Sequence, residues 1–135
     1  MKKIIIIEDD PIVVSNIEKA FKEKTDTEII SFYPSISTYP CEEEVRNQLK
    51  KVCQENIFDF ALLDYGLWNK LTGVIFVDIL KNTQIPFVTF SSYDEHNDEL
   101  MELGAIYEIN KKSLFRFGLD RKRLFSEIEK IYSLI

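Results

Sequence analysis

Apolar residues recur along this chain in two alternating rhythms. Short continuous runs stand at 3–7, where Ile4 to Ile7 follow one another, at 27–33 (TEIISFY), at 58–63, at 85–90 (IPFVTF) and, more weakly, at 105–110. Between them lie longer stretches in which apolar positions return every three or four residues with charges in the gaps. In 11–24 these are Ile12, Val13, Ile17, Ala20 and Phe21; in 42–55 they are Val45, Leu49, Val52 and Cys53. Thr72 to Asn82 carries Val74, Ile75, Val77, Ile79 and Leu80; 95–103 is short and acidic; 120–134 carries Leu124, Phe125, Ile128, Ile131 and Tyr132. The runs predict strands and the stretches predict helices. Local chemistry agrees. Pro11 suits a first helical turn, Glu42, Glu43 and Glu44 favour a helix N-terminus, Gly104 stops the fourth helix, and Pro34 to Pro40, rich in Ser, Pro and Tyr, reads as a loop.

Five strand–helix units follow one another with no internal repeat and no linker, so residues 1–135 are expected to form a single domain. Continuous apolar strands alternating with helices imply a parallel sheet covered on both faces. Right-handed crossovers leave few topologies. The expectation is an α/β, flavodoxin-like three-layer α/β/α sandwich with strand order 2-1-3-4-5 and five helices. That order sets the first strand beside the third at the point where the winding reverses, and the crevice there lies at the strands' carboxyl ends.

Composition narrows the function. The chain has 135 residues, 45% hydrophobic and 30% charged, with a net charge of -6. No apolar stretch approaches the roughly 20 residues a membrane helix needs. The opening Met1-Lys2-Lys3 and four isoleucines run straight into three acids, which excludes a signal peptide. The acidic balance argues against direct nucleic-acid binding. Cys41 and Cys53 form no CxxC and have no histidine cluster nearby; two isolated cysteines suggest a reducing cytoplasm and packing roles. His96, the single histidine, stands among acids and reads as a surface residue.

The chemistry lies where apolar runs stop. The first ends in Glu8, Asp9 and Asp10, and the third in Asp64. A carboxylate inside a buried strand is costly unless paired or bound to a cation, whereas at a strand end it reaches the crevice. Side by side, these acids repel and raise one another's pKa unless a divalent cation such as Mg²⁺ relieves them. Asp64 then becomes a candidate nucleophile toward phosphorus. Lys111, beyond the fifth strand, and Ser91, at the end of the fourth, are placed to stabilise the phosphoryl oxygens by charge and by a hydroxyl. A backbone amide after Asp64 is a further donor.

These residues fall in an order that resembles the receiver domain of two-component response regulators. IIIIEDDPIVVSNIEKAF is similar to the receiver opening, FDFALLDYGL to its phosphoacceptor strand, IPFVTFSSYD to the strand ending in a hydroxyl, and GAIYEINKK to the segment ending in its lysine. The resemblance implies that Glu8 and Asp9 are the acidic pair, with Asp9 a direct Mg²⁺ ligand. It implies that Asp64 is phosphorylated, that Gly66 gives a backbone carbonyl to the metal, and that Ser91 and Lys111 complete the site. Several positions depart from the pattern. Lys112 stands where the family has Pro, Ser92 where Ala is common, Glu108 where a switch aromatic is frequent, and Trp68 where Pro is common. The segments to Gly73 and from Lys112 to Asp120 are longer.

The resemblance implies a stand-alone, cytoplasmic regulator that catalyses only its own phosphorylation and dephosphorylation. A sensor histidine kinase or phosphotransfer protein would supply the phosphoryl group. The chain ends at Ile135, just after the fifth helix, so no output domain is expected and output is a contact with a downstream protein. The face of the fourth helix, fifth strand and fifth helix offers a route to a homodimer. Arg116, Arg121, Lys122 and Arg123, with Lys111 and Lys112, suggest docking of an acidic partner. The alternative is a receiver-like interaction module that does not use phosphate, motivated by Lys112, Ser92 and Glu108. An aspartate-nucleophile phosphatase would need its aspartate after the first strand and a second one two residues on. A dinucleotide fold would need a glycine-rich turn. Neither pattern is present.

Overall fold

The computed structural model describes residues 1–33 and 41–135; the loop expected over Pro34 to Pro40 lies outside them. Among the described residues, five strands form one parallel sheet: β1 (Lys2–Ile7), β2 (Thr27–Phe32), β3 (Phe60–Leu63), β4 (Phe87–Ser91) and β5 (Tyr107–Asn110). Their order is β2-β1-β3-β4-β5. The helices are α1 (Pro11–Phe21), α2 (Glu42–Glu55), α3 (Val77–Asn82), α4 (Asp94–Glu102), α5 (Lys111–Leu114) and α6 (Arg121–Tyr132). The expected sandwich is therefore observed, with one helix more than expected.

The four isoleucines explain the three layers. Side chains alternate across a strand, so Ile5 and Ile7 join a cluster with Val45, Leu49, Leu80 and Leu100 from α2, α3 and α4. Ile4 and Ile6 join Ile17, Ala20, Leu124 and Ile131 from α1 and α6 on the other face. All four are essentially inaccessible, and each contributes about 1.5–3 kcal/mol relative to an exposed side chain. Register aligns the carboxyl ends of the central strands. Ile7 pairs with Leu63, so β1 and β3 run out together and the next residues, Glu8 and Asp64, emerge side by side.

Several elements differ from expectation: β4 starts at Phe87 rather than Ile85 and β5 at Tyr107 rather than Ala105, and two further differences have local causes. The stripe from Thr72 to Asn82 is not one helix. It begins as a 3₁₀ turn, Gly73–Phe76, and becomes α-helical only at Val77. The first β3 residue is Phe60 rather than Phe58, because Asp59 turns its carboxylate back to accept the Lys3 N–H at 2.9 Å and the Tyr132 hydroxyl at 2.8 Å. The added helix α5 has a clear cause. Asn110 caps it, accepting the Lys112 N–H at 2.9 Å, while the Ser113 hydroxyl donates to the Asn110 carbonyl. A proline at 112 has no N–H to give, so Lys112 is what allows this cap bond. No helix among the described residues is long and apolar enough to cross a membrane.

Candidate metal and phosphoryl site

Glu8 and Asp64 are buried, 1% and 5% exposed, although each is a carboxylate just past the carboxyl end of a strand. Asp9 is half-buried beside them. Glu8, Asp9 and Asp64 each bring a carboxylate oxygen within 4.8 Å of the others. Asp10 is exposed and serves the helix instead: its Oδ1 accepts the Ile12 N–H at 2.9 Å and caps α1. The three remaining acids thus leave the first and third strands as a nest, as their positions at the ends of apolar runs predict.

One cation enters this nest from β5. Lys111 Nζ lies 2.5 Å from Glu8 Oε2 and 3.1 Å from Asp64 Oδ1, and 5.3 Å from the centre of the Phe90 ring. A single ammonium against three carboxylates leaves an excess of negative charge in a site largely shielded from water. Burial accordingly pushes the Glu8 carboxyl up to about 8; Lys111 opposes this and the Asp64 charge adds to it. Asp64 is also raised by burial, against the pull of Lys111 and a hydrogen bond with Glu8. Carboxyls packed this closely favour keeping a proton, or binding a cation, over standing as free like charges.

The residues fit a hard divalent cation. All the side-chain donors are oxygens, the kind Mg²⁺ selects. Oxygens on opposite sides of an ion bound at about 2.1 Å are about 4.2 Å apart, near the 4.8 Å limit spanned here. Glu8 Oε2 is buried, and its polar neighbour among the described residues is the Lys111 ammonium at 2.5 Å. Gly66 is exposed in a single antiparallel bridge with Thr72, and a Cβ there would meet nothing within 4 Å. Nothing steric therefore demands glycine at that position.

Backbone groups hold Asp64 in place. Its Oδ1 accepts the Tyr65 N–H at 2.8 Å, and its own N–H donates to Ile7 O at 3.0 Å. Gly73 approaches so closely that a Cβ would stand 2.2 Å from the Asp64 carbonyl oxygen, and the Gly73 N–H donates to Tyr65 O at 2.7 Å. Sequence reasoning noted Gly73 only as a loop end. The glycine ahead of an apolar helical stripe was the available signal.

Ser91 is buried at the end of β4, and its Oγ accepts the Tyr93 N–H at 3.4 Å, leaving the hydroxyl hydrogen free to donate. Sequence reasoning missed Asn97, which is fully buried and bonded to both Thr89 and Ser91. It also misplaced His96. Rather than a surface residue, His96 is half-buried, stacked on Tyr65 with centroids 4.0 Å apart and set edge-on to Tyr93. Cys53 is packed as expected, but Cys41 is exposed at the cap of α2. An open hollow of about 220 Å³, lined by Asp10, Val13, Ser92, Lys111, Lys112 and Phe115, adjoins the carboxylate nest.

The fold has counterparts among solved structures. A two-component response regulator from Clostridium difficile is 20% identical, with 98% of this chain and 97% of that one covered at a TM-score of 0.68. A Francisella response regulator receiver domain gives 17%, 98%, 98% and 0.70. A CheY-like receiver domain protein from Methanospirillum hungatei JF-1 gives 22%, 98%, 95% and 0.64. The fold is that of a receiver domain. No protein-family model and no curated protein matches the sequence. The receiver fold is thus recognisable in three dimensions across nearly the whole chain. Its carboxylate nest and lysine are at the sheet end where the sequence put them.

Proposed function

We propose that this protein is a response-regulator receiver that accepts a phosphoryl group on Asp64 and signals through changed protein contacts. The observation that carries the reading is the group of buried Glu8 and Asp64 with half-buried Asp9, and Lys111 drawn onto it. Such a cluster is costly to build into a fold, and its chemistry suits anionic phosphoryl transfer. Asp9, Glu8 and Asp64, with the Gly66 carbonyl, would hold Mg²⁺, which supplies charge neutralisation to the phosphoryl oxygens when bound.

This chain's own residues perform the rest. An Asp64 carboxylate oxygen attacks the phosphorus of the donor, forming an O–P bond as the P–N bond of a phosphohistidine breaks. The imidazole leaves with that electron pair. Lys111 already sits 3.1 Å from Asp64 and is placed to pair with the added negative charge. Ser91 supplies a hydroxyl from β4. The hollow beside Lys111 opens toward Ser92 and Lys112, giving a donor room to approach. A sensor histidine kinase or phosphotransfer protein is the expected donor. The cationic stretch of Lys112, Arg116, Lys122 and Arg123 would favour an acidic surface on a partner. Action in the cytoplasm belongs to the same reading.

The second reading, an interaction module that works without phosphate, draws on Lys111. It already bridges Glu8 and Asp64 and so stabilises the crevice without any ligand. Titrating the protein with beryllofluoride in the presence of Mg²⁺, while following Trp68 fluorescence, separates the two. Phosphoacceptor function predicts a saturable change that requires Mg²⁺ and is lost in Asp64→Asn. A flat response in the unmodified protein favours the module.

A further inference from the structure

Asn97 lies on α4, yet its side chain belongs to the end of β4. Its Oδ1 accepts the Thr89 hydroxyl at 2.6 Å and the Ser91 N–H at 3.1 Å, and its Nδ2 donates to the Ser91 carbonyl at 3.0 Å. A backbone N–H can only donate and a carbonyl can only accept, so these two contacts fix which way the amide faces. The side chain is wholly inaccessible. Breaking any of these bonds would strand a polar group out of water, which costs more than losing a surface hydrogen bond.

The rest of α4 is held lightly. Across its nine residues only Asn97 and Leu100 are buried. One of its two buried residues is thus this amide, clipped to the residue that carries the site's hydroxyl, while His96 adds a stack on Tyr65. A second tie runs from the lysine side: Asn110 Nδ2 donates to Asp94 at the start of α4 at 3.0 Å, and Asn110 directly precedes Lys111.

We infer that Asn97 is the positioning residue that couples the site to α4: when Ser91 shifts toward an occupant of the carboxylate crevice, its backbone carries Asn97 and therefore the helix with it. The inference rests on reading Asp64 and Ser91 as the phosphoryl site. Moving as a unit keeps the buried amide satisfied, whereas moving Ser91 alone does not. A helix with so little apolar anchorage belongs to the low-stability part of a fold, from which moving elements are drawn. Its exposed face carries Asp94, Glu95, Asp98, Glu99 and Glu102. The coupling would therefore reorient an acidic surface.

The test compares the wild type with Asn97→Leu, which keeps the volume and removes all three bonds, and with Asn97→Asp, which keeps the acceptors and sets a second oxygen against the Ser91 carbonyl. Should one variant fail to fold, the other carries the comparison. Without ligand, amide hydrogen exchange at Ser91 should quicken at least about tenfold in Asn97→Leu, because its N–H loses its partner, whereas Asn97→Asp keeps that acceptor and loses the bond to the Ser91 carbonyl. Beryllofluoride with Mg²⁺ is then added, and NMR shifts are followed at Gly66 and Lys111 and along α4. In the wild type both regions respond. In the variants the crevice still responds, and the α4 shifts fall to less than about half. Full α4 shifts in a folded variant would overturn the role of Asn97. Silence at Gly66 and Lys111 in the wild type would instead overturn the reading of the site, and the coupling with it.

Discussion

Gly73 sits against the backbone of Asp64 so tightly that a methyl group on it would lie 2.2 Å from the Asp64 carbonyl oxygen. The segment entering α3 is thereby pressed onto the strand end that carries the proposed phosphoacceptor. Gly66, two residues beyond Asp64, has open space around it.

The contrast predicts different outcomes for two similar substitutions. Gly73→Ala should destabilise the fold by about 1–3 kcal/mol, the usual scale for forcing an extra carbon into a packed site. It should also weaken Mg²⁺ binding by displacing Asp64. Gly66→Ala should leave stability within about 0.5 kcal/mol. Urea unfolding of both variants checks this. Equal stability of the two would contradict the packing argument.

The buried nest predicts an unusual pH dependence. In the folded, metal-free protein Glu8 is raised from 4.5 to about 8, so between these values the native state holds a proton that the unfolded chain has released. Stability from this group is fully present below pH 4.5 and is lost as pH rises toward 8. Mg²⁺ must displace that proton, so its affinity should rise over the same window. Chemical denaturation from pH 5 to 8, with chelator and with Mg²⁺, should show the metal's stabilisation growing with pH. A constant Mg²⁺ effect across that range would count against a protonated Glu8.

Far from the crevice, Asp59 joins β1 to α6 by accepting from the Lys3 N–H and the Tyr132 hydroxyl. The neighbouring carboxylate and burial both hold the Tyr132 phenol above its ordinary range. Tyr132→Phe should cost about 1 kcal/mol and Asp59→Ala about 1–3 kcal/mol, since the latter strands buried donors. Neither should change the Mg²⁺ titration of Trp68 fluorescence. A shifted titration would mean that the two ends of the sheet are coupled.

The cysteines should separate by reactivity. Cys41 is exposed, whereas Cys53 is buried and burial pushes its thiol up to about 11. The thiolate is the reactive form. Iodoacetamide at neutral pH should therefore modify Cys41 alone in the folded protein, with Cys53 following only in denaturant. Mass spectrometry of digested protein distinguishes these cases; rapid labelling of Cys53 under native conditions would show that α2 opens readily.

Glu8, Asp9, Asp64 and Lys111 were legible because a charge that interrupts an apolar run has few structural uses, and strand order brings such interruptions together. Asn97 and His96 were hidden for the opposite reason. They lie in an acidic, polar stretch where an amide or imidazole looks solvated, and only the docking of α4 on β4 shows them turned inward. The break between the 3₁₀ turn at Gly73 and α3 at Val77 was invisible because periods of 3 and 3.6 coincide over four residues. Helix α5 was missed because a four-residue turn carries too little pattern; its signal was the Asn110 cap alone.

The central claim is that Asp64 takes a phosphoryl group. Intact-mass spectrometry after incubation with acetyl phosphate and Mg²⁺ tests it most directly. The account predicts one added phosphoryl group, dependent on Mg²⁺, located on Asp64 and absent from Asp64→Asn. An unmodified wild-type mass under these conditions, or equal modification of Asp64→Asn, would contradict it.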